Sequence, residues 1–525
     1  MIFLKNRIHF TIKATVIVII ALFPFIHSAV FAQAYADSVM QKRVTLGRLK
    51  ATTYEALNRI TDSTGYLFVY DSRIISNEKK VRLNIQPSTI KEALDQILAD
   101  TTLCYKTIGK HIILYRTAGS PKAEKVIQQA DSSKHIILKG RIVDSQNQRA
   151  LAFATIGIPK LAIGNVSNSE GFFSLKLPFE ALGLSVTISH LGYKTRTVPV
   201  EVLLFEASDI FLDVEYVSIQ EVIIRQFDPR KMVEDFITRI PQNYGKEPTY
   251  LTAFYREGVR KGNGYLNYSE GIFKIYKSSY ASGYETDQVK TLKTRKLRNV
   301  NPSDTLDIKL KGGIGGALML DIAKNIDNFF SKEVLELYNF TKSDIVVFNE
   351  RLTYAINFDQ KEFVTDPLIE GTLYIDIETL SLVGADMQVN PQRISGLTNQ
   401  LVVKRNRRIS IKPEKVTYSI RYGFLNHKFH LSHVRGDLQF KYKRRNQLFY
   451  GRFYAFLEMA TSHVDSLNVT RFERKDAEPL TSIFSETASK TDDRFWKNFN
   501  SIPPEANLYE ALKNMSFEAF TSENE

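Results

Sequence analysis

The chain of 525 residues contains one cysteine and one tryptophan. A single thiol, Cys104, cannot close an intrachain disulfide, so the fold must rest on apolar cores rather than on cross-links. Cys104 sits in the apolar run L-C-Y and reads as a buried small hydrophobe. The signatures of common chemistries are also absent. No histidine is followed at the third position by glutamate, as a zinc peptidase requires. There is no G-x-S-x-G elbow, no cysteine–histidine signature and no G-K-[ST] phosphate loop. After the first 34 residues no apolar stretch is long enough for a transmembrane helix. These absences point away from an enzyme, and no catalytic, cofactor or metal residues are expected.

What is present begins with an export pattern. Lys5, Arg7 and Lys13 precede an apolar run, Ala14–Ile26, and Ala32-Gln33-Ala34 has the form of a cleavage site. Residues 1–34 therefore read as a signal peptide, with a retained anchor as the alternative. No cysteine lies near that site, so a lipoprotein is not expected. The net charge is +13. The signal holds three positive and no negative charges, which leaves +10 on the remainder. Basic clusters lie at Lys290–Arg298, Lys404–Arg408 and Lys441–Arg445. In an exported chain they suit an anionic membrane surface better than nucleic acid, and they equally suit ordinary solvated strand faces.

Residues 44–68 recur at 81–105 with a constant offset of 37. Each copy opens with alternating apolar residues, V-T-L or V-R-L, and continues T-x-x-E-A-L-x-x-I. Thr52 and Glu55, like Thr89 and Glu92, have capping-box spacing. Ala56, Leu57 and Ile60 share a helical face, as do Ala93, Leu94 and Ile97. Gly65 ends the first helix. Strands are expected at Leu67–Tyr70, Cys104–Lys106 and His111–Tyr115, giving two β-α-β units whose helices pack on one sheet. The pattern over 43–116 resembles the short N-terminal domain of secretins and TonB-dependent transducers. That resemblance implies a periplasmic domain that contacts other proteins.

The polar stretch Thr117–Lys134 reads as a linker. Residues 135–216 then show short strands separated by turn signals, Asp144-Ser145-Gln146-Asn147 and Ser169-Glu170-Gly171 among them, as in a β-sandwich. The pieces G-R-I-V-D (140–144), A-L-A-F-A-T-I (150–156), N-S-E-G-F-F-S-L (168–175) and S-H-L-G-Y-K-T (189–195) resemble the carboxypeptidase regulatory-like domain. That family usually has Asp where Asn168 or Ser169 stands. The resemblance implies a non-catalytic sandwich of the kind carried by exported enzymes and by TonB-dependent receptors. V-S-I-Q-E-V-I-I-R (217–225) is similar to the segment that follows it in those receptors, but the rest of the chain is too short for their plug and barrel.

Residues 228–525 read as β-rich. Asp228-Pro229 opens a helix whose apolar face is Met232, Val233, Phe236, Ile237 and Ile240, with Pro241 ending it. Strands rich in Tyr and Phe follow, at Leu266–Tyr276, Leu352–Phe358, Thr372–Ile377, Val416–Tyr422 and Leu448–Leu457. A hairpin at 371–389 turns near Glu378-Thr379. Helix is expected at Leu318–Phe330, Arg494–Asn500 and Leu508–Met515, with Trp496 anchoring the last pair. F-Y-R-E (254–257) and S-E-G-I-F-K-I-Y (269–276) are similar to exported proteins of unknown function, and the hairpin to the half-barrel of periplasmic lipoprotein carriers. A closed outer-membrane barrel competes, but the chain ends in helix and an acidic tail.

Three groups invite a chemical reading. His427, His430 and His433 are spaced by three; alternation puts only His427 and His433 on one face, too far apart for one ion. Gly312–Gly316 precedes a helical run and reads as a flexible turn rather than a phosphate cradle. Arg256-Glu257 and Glu270 are charges among aromatic strands, and a hydrolase would need such carboxylates to converge.

The fold expected is multidomain α+β: a small duplicated βαβ domain, a β-sandwich, and a large curved antiparallel sheet with a few helices. The function expected is a non-enzymatic adaptor in the periplasm, associated with the outer membrane, with a TonB-dependent receptor or an anti-sigma regulator as its partner. A carrier of lipid or another apolar ligand is the alternative, and an envelope hydrolase the third.

Overall fold

The computed structural model describes residues 39–70, 75–100, 102–108, 110–116, 135–204, 208–215, 228–262, 264–281, 285–298, 308–310, 313–405, 409–445, 448–480 and 499–514. The expected signal, the linker, segment 217–225 and Trp496 lie outside these residues. Contacts divide the chain into two compact units, residues 1–131 with 201–209 and residues 132–200 with 210–525.

The first unit runs β1 (Arg43–Val44), β2 (Gly47–Thr52), α1 (Thr53–Thr64), β3 (Leu67–Val69), β4 (Lys80–Ile85), β5 (Ser88–Thr89), α2 (Ile90–Leu98), β6 (Leu103–Ile108) and β7 (His111–Arg116). Both capping boxes form. Glu55 and Glu92 donate their N–H to the Thr52 and Thr89 hydroxyls at 3.2 Å, and their carboxylates accept the threonine N–H at 2.8 Å. Each cap is worth about 1 kcal/mol. Gly65 closes α1 at φ 73°, its N–H donated to the Thr61 carbonyl. The expected apolar faces of both helices are buried.

The copies pair by exchange. β1 pairs with β5 through Arg43↔Thr89, and β2 pairs with β4 through Thr52↔Lys80. The offset of 37 converts one pair into the other, so each copy supplies the ladder partner of its twin. This corrects the expectation of one sheet. The strands that lead into the helices are used up between copies, so the wider sheet, β3–β7–β6, is built from strands that follow them. Cys104 is half-buried in β6 opposite Tyr115, rather than buried.

The second unit opens with the sandwich strands β8 (His135–Asp144), β9 (Thr155–Ile158), β10 (Ile163–Val166), β11 (Phe172–Pro178), β12 (Ser185–Ser189), β13 (Arg196–Pro199) and β14 (Ser208–Leu212). β11–β8–β14 forms one layer, and β13–β12–β9–β10 begins the other. Asp144 makes the first turn, its carboxylate accepting the N–H of Gln146 and Asn147 at 2.7 and 2.9 Å. The Tyr193 hydroxyl donates to the other oxygen of Asp144 at 2.8 Å, which ties the G-Y element to this turn.

After α3 (Pro229–Asn243) come β15 (Thr249–Lys261), β16 (Gly264–Lys277), β17 (Gln288–Arg298), β18 (Ile308–Leu310), α4 (Ile314–Met319), α5 (Ile326–Phe330), α6 (Lys332–Leu335), β19 (Tyr338–Phe348), β20 (Arg351–Gln360), β21 (Ile369–Asp376), β22 (Leu382–Val389), β23 (Val402–Arg405), β24 (Ile409–Leu425), β25 (Lys428–Arg444), β26 (Gly451–Asp465) and α7 (Ala506–Asn514). β18 and β23 form a small separate ladder. The other strands make a curled half-barrel in the order β17–β16–β15–β26–β25–β24–β22–β21–β20–β19, antiparallel throughout. Among the described residues β17 and β19 do not pair, so the half-barrel stays open. The sandwich layer joins it through Ile163↔His463, which makes the two one sheet of fourteen strands.

One face of the half-barrel is covered by α3–α6. Val233, Phe236, Tyr255, Phe273, Phe330, Phe358 and Tyr422 fill the space between helices and strands. Asp228 caps α3 as expected, accepting from the N–H of Arg230 and Lys231. Pro241 does not end α3, which continues to Asn243. So near the terminus the missing proline N–H costs only one ladder bond. The single helical interruption expected near Leu318–Phe330 is three short helices over 314–335. β26 begins at Gly451, leaving Leu448–Tyr450 outside the strand. Phe499 and Asn500, the described end of the penultimate expected helix, are not helical.

Candidate functional site

Antiparallel register aligns polar residues into a row on the face opposite the helices. Directly opposed positions run Arg295, Glu270, Arg256, Glu458, Arg435, Ser419, Asp386, Thr372, Asn357 and Thr341, one from each of the ten strands. The first five alternate in charge. Cross-strand neighbours of opposite sign attract, so the row supports the register that creates it.

Its centre is buried. Arg256 and Glu458 have fully buried side chains, joined Nε to Oε2 at 2.6 Å. Arg435 donates to the same oxygen at 3.2 Å, and His433 Nε2 donates to Oε1 at 3.0 Å. Burial pushes the Glu458 carboxyl up, but the charges of Arg256 and Arg435 together with the His433 hydrogen bond hold it well below the usual carboxylate range. Burial pushes the His433 imidazole down, which keeps it neutral at neutral pH. A carboxylate–imidazole pair of this kind can orient a general base. Here the ring is fully buried, and among the described residues its Nδ1 meets no hydrogen-bond partner.

Two segments cover the row. From the sandwich, Phe153 stacks on His433 with centroids 4.9 Å apart, and the Arg435 guanidinium lies 6.0 Å from the same ring. Phe153 holds φ 63°, a left-handed conformation that a bulky residue rarely adopts. From the C-terminal end, Phe499–Glu505 forms a strap. Arg256 reaches Glu505 at 2.9 Å and the Pro503 carbonyl at 3.4 Å. Ile502 packs among Val166, Phe254, Ile272 and Ala460. The sandwich grips the strap in turn. Asn165 donates to the Ser501 carbonyl at 3.0 Å, and Asn500 exchanges two hydrogen bonds with the Lys176 backbone. Asn168 accepts from the N–H of Glu170 and Phe172 with its side-chain oxygen, and its amide nitrogen donates to Pro503 at 3.2 Å. A carboxylate at 168 could make the turn but could not donate to the strap.

Two clefts flank this seam. One, of about 300 Å³, lies between Glu170 and Glu505 on one side and Arg260, Arg435 and Tyr454 on the other. The larger, of about 620 Å³, is bounded by Ile163, Val166, Arg351, Phe424, His430 and Val464. His430 is pushed down to about 4 by burial.

The residues singled out from sequence fall as follows. Arg256 and Glu270 stand opposite one another in the row, while Glu257 points to the helix face and accepts from Tyr255 and from the Gly313 N–H at 2.8 and 3.0 Å. The carboxylates therefore do not converge, and Glu270 is paired with Arg295. Glu257 also occupies the start of α4, where a phosphate would sit. Gly315 is needed because the Leu480 carbonyl lies 1.9 Å from where a Cβ would stand; Gly312 lies outside the described residues. The histidine alternation is corrected. A bulge between Leu431 and His433 sends Phe429, Leu431 and Val434 to the helix-face core, so His430 and His433 share the other face, and His427 occupies the turn at φ 61°. Sequence reasoning missed Glu458, Arg435 and Glu505. Each is an unremarkable charge until register and the strap bring it to Arg256.

Residues 138–224 match the CarboxypepD_reg-like domain family. No curated protein matches the chain. Among solved structures, a putative outer membrane lipoprotein-sorting protein domain from Vibrio parahaemolyticus is similar over 47% of this chain and 95% of that one, at 9% identity and a TM-score of 0.21. A DUF1329 family protein from Desulfovibrio piger covers 46% and 96%, at 12% identity and 0.21. A LolA superfamily protein from Nitrosomonas europaea covers 46% and 96%, at 8% identity and 0.20.

Proposed function

We propose that this chain is a non-enzymatic interaction protein of the cell envelope, an adaptor working in the periplasm beside the outer membrane. The observation that carries the reading is how the charged row is used. Arg256, Glu458, Arg435, His433 and Glu505 pair with one another and, with Phe153 stacked on His433, fasten sandwich, strap and half-barrel together. Groups that could do acid–base work are committed to holding a platform together. The duplicated α/β unit, with its resemblance to a protein-contacting domain, supplies the partner-binding element. A TonB-dependent receptor or an anti-sigma regulator is the partner this reading favours.

The test is crosslinking and recovery from native envelopes with the full chain and with a version lacking residues 35–116. Recovery of an outer-membrane receptor or regulator by the full chain alone supports the adaptor. Equal recovery by both moves the contact to the second unit. A second reading, carriage of an apolar ligand, draws on the 620 Å³ cleft, whose size suits a small ligand. Co-purified lipid with no protein partner would favour it.

A further inference from the structure

We infer that one end of the half-barrel is a docking surface for an anionic phospholipid bilayer, with Leu448–Tyr450, immediately before β26, as its inserted element. Register places Lys412, Lys441 and Arg452 directly opposite one another on β24, β25 and β26. The next row inward holds Lys415, Gln439, Tyr454 and Arg260. Lys443 and Arg445 continue the strip along the chain toward Leu448. Like charges in directly opposed positions repel. Glu414 serves the outer row, shared by Lys441 and Arg452 at 2.5 and 2.8 Å, while Glu170 and Glu505 face the inner row across the smaller cleft. Lys412 is exposed, as is Arg445. Among the described residues Lys412, Lys443 and Arg445 form no ion pair, so the outer end of the strip keeps a positive potential.

Beside it stand Leu448, Phe449 and Tyr450, which are 86%, 84% and 55% exposed. The Lys443 ammonium lies 5.4 Å from the Tyr450 ring. Single exposed apolar residues are ordinary. Three in succession immediately before β26, with cations on the adjoining strands, have the chemistry of an interfacial anchor. Leu448 and Phe449 enter the headgroup boundary, Tyr450 sits at it, and the lysines and arginines meet anionic headgroups. This assignment is independent of the adaptor reading, since it needs neither the duplicated unit nor a protein partner.

The experiment is sedimentation of the full chain with vesicles of phosphatidylcholine alone and of phosphatidylcholine mixed equally with phosphatidylglycerol. Wild type, a Leu448→Ser/Phe449→Ser variant and a Lys412→Glu/Lys443→Glu variant all keep residues 14–26, so any affinity of that apolar run is common to them. The expected result is salt-sensitive preference for the acidic vesicles. The charge variant should lose about fivefold or more for each cation replaced, and the serine variant about tenfold. Indifference to lipid charge, or equal binding by wild type and both variants, overturns the assignment. So does self-association in the ultracentrifuge that the serine variant abolishes, which would give the apolar element to a second copy of the chain.

Discussion

On the helix-bearing face of the half-barrel, Lys277 contacts Asp287 and Asp321 at 2.6 and 2.7 Å, and the hydroxyls of Tyr280 and Tyr422 donate to Asp321 at 2.8 and 2.9 Å. On the opposite face, Arg256 contacts Glu458 and Glu505, residues 202 and 249 positions away. Both clusters bury charge, but their work differs. The first fixes the turns on either side of β17 and α4, and if the cation were lost Tyr280 and Tyr422 would still donate to Asp321 and Ser278 to Asp287. The second joins three separate segments, and among the described residues His433 is the one neutral donor to Glu458. The contrast teaches that a buried ion pair is worth what depends on it: local geometry on one face, assembly of sandwich, strap and sheet on the other.

The most severe break should come from Arg256→Ala, which leaves Glu458 buried beside only Arg435 and His433. A loss of about 3–5 kcal/mol is expected from the midpoint of urea unfolding. The double change Arg256→Met/Glu458→Leu should regain most of it, because the apolar pair removes both charges together. Next comes Lys277→Met, at about 2–3 kcal/mol, since Tyr280 and Tyr422 remain to serve Asp321. Equal losses for Arg256→Ala and Lys277→Met would erase the contrast.

Acid separates the faces by a different route. His430 has its folded pKa pushed down to about 4 from an ordinary 6.5, and burial pushes His433 down as well. The unfolded chain therefore takes up these protons first. The stabilisation is fully present above about pH 6.5 and is lost as pH falls toward 4, by on the order of 2 kcal/mol for His430. Melting temperature followed from pH 7 to pH 4.5 should fall, and His430→Gln should flatten the curve. A variant as acid-sensitive as wild type would remove His430 from the account. Smaller still, Asn168→Asp keeps both turn acceptors and loses the donor to Pro503. About 1 kcal/mol is expected, read as faster proteolysis of the strap. At the open half of the row, Asp386 pairs with Arg421 where water reaches it, and Asp386→Asn should cost about 0.5 kcal/mol in the same urea assay.

Much of the local structure was legible because its causes are local. The Thr–Glu capping boxes, the Asp228-Pro229 helix start and the Asp144 turn each depend on side chains within four residues of the backbone groups they satisfy. The turn near Glu378-Thr379 is of the same kind, built by Asp376 accepting from both N–H groups. Where reading along the chain failed, a contact from far away had intervened. The bulge before His433 reversed a simple alternation, the exchange between repeat copies removed the single small sheet, and the glycine run read as a flexible turn carries Gly315 inside α4, held against the Leu480 carbonyl.

The amino-acid sequence alone determined the duplication, the placement of caps and turns, the sandwich that residues 138–224 match, and the strand-rich character of the remainder. These follow from periodicity and short-range hydrogen bonding. The polar row, its neutralisation and the strap belong to the tertiary structure. Whether Arg256 lies beside Glu458 depends on the register of two strands separated by some two hundred residues, and a slip of one position would turn both toward the opposite face. Register is set by the fit of whole faces against helices and sandwich, a property of the packed sheet that no short window of sequence contains.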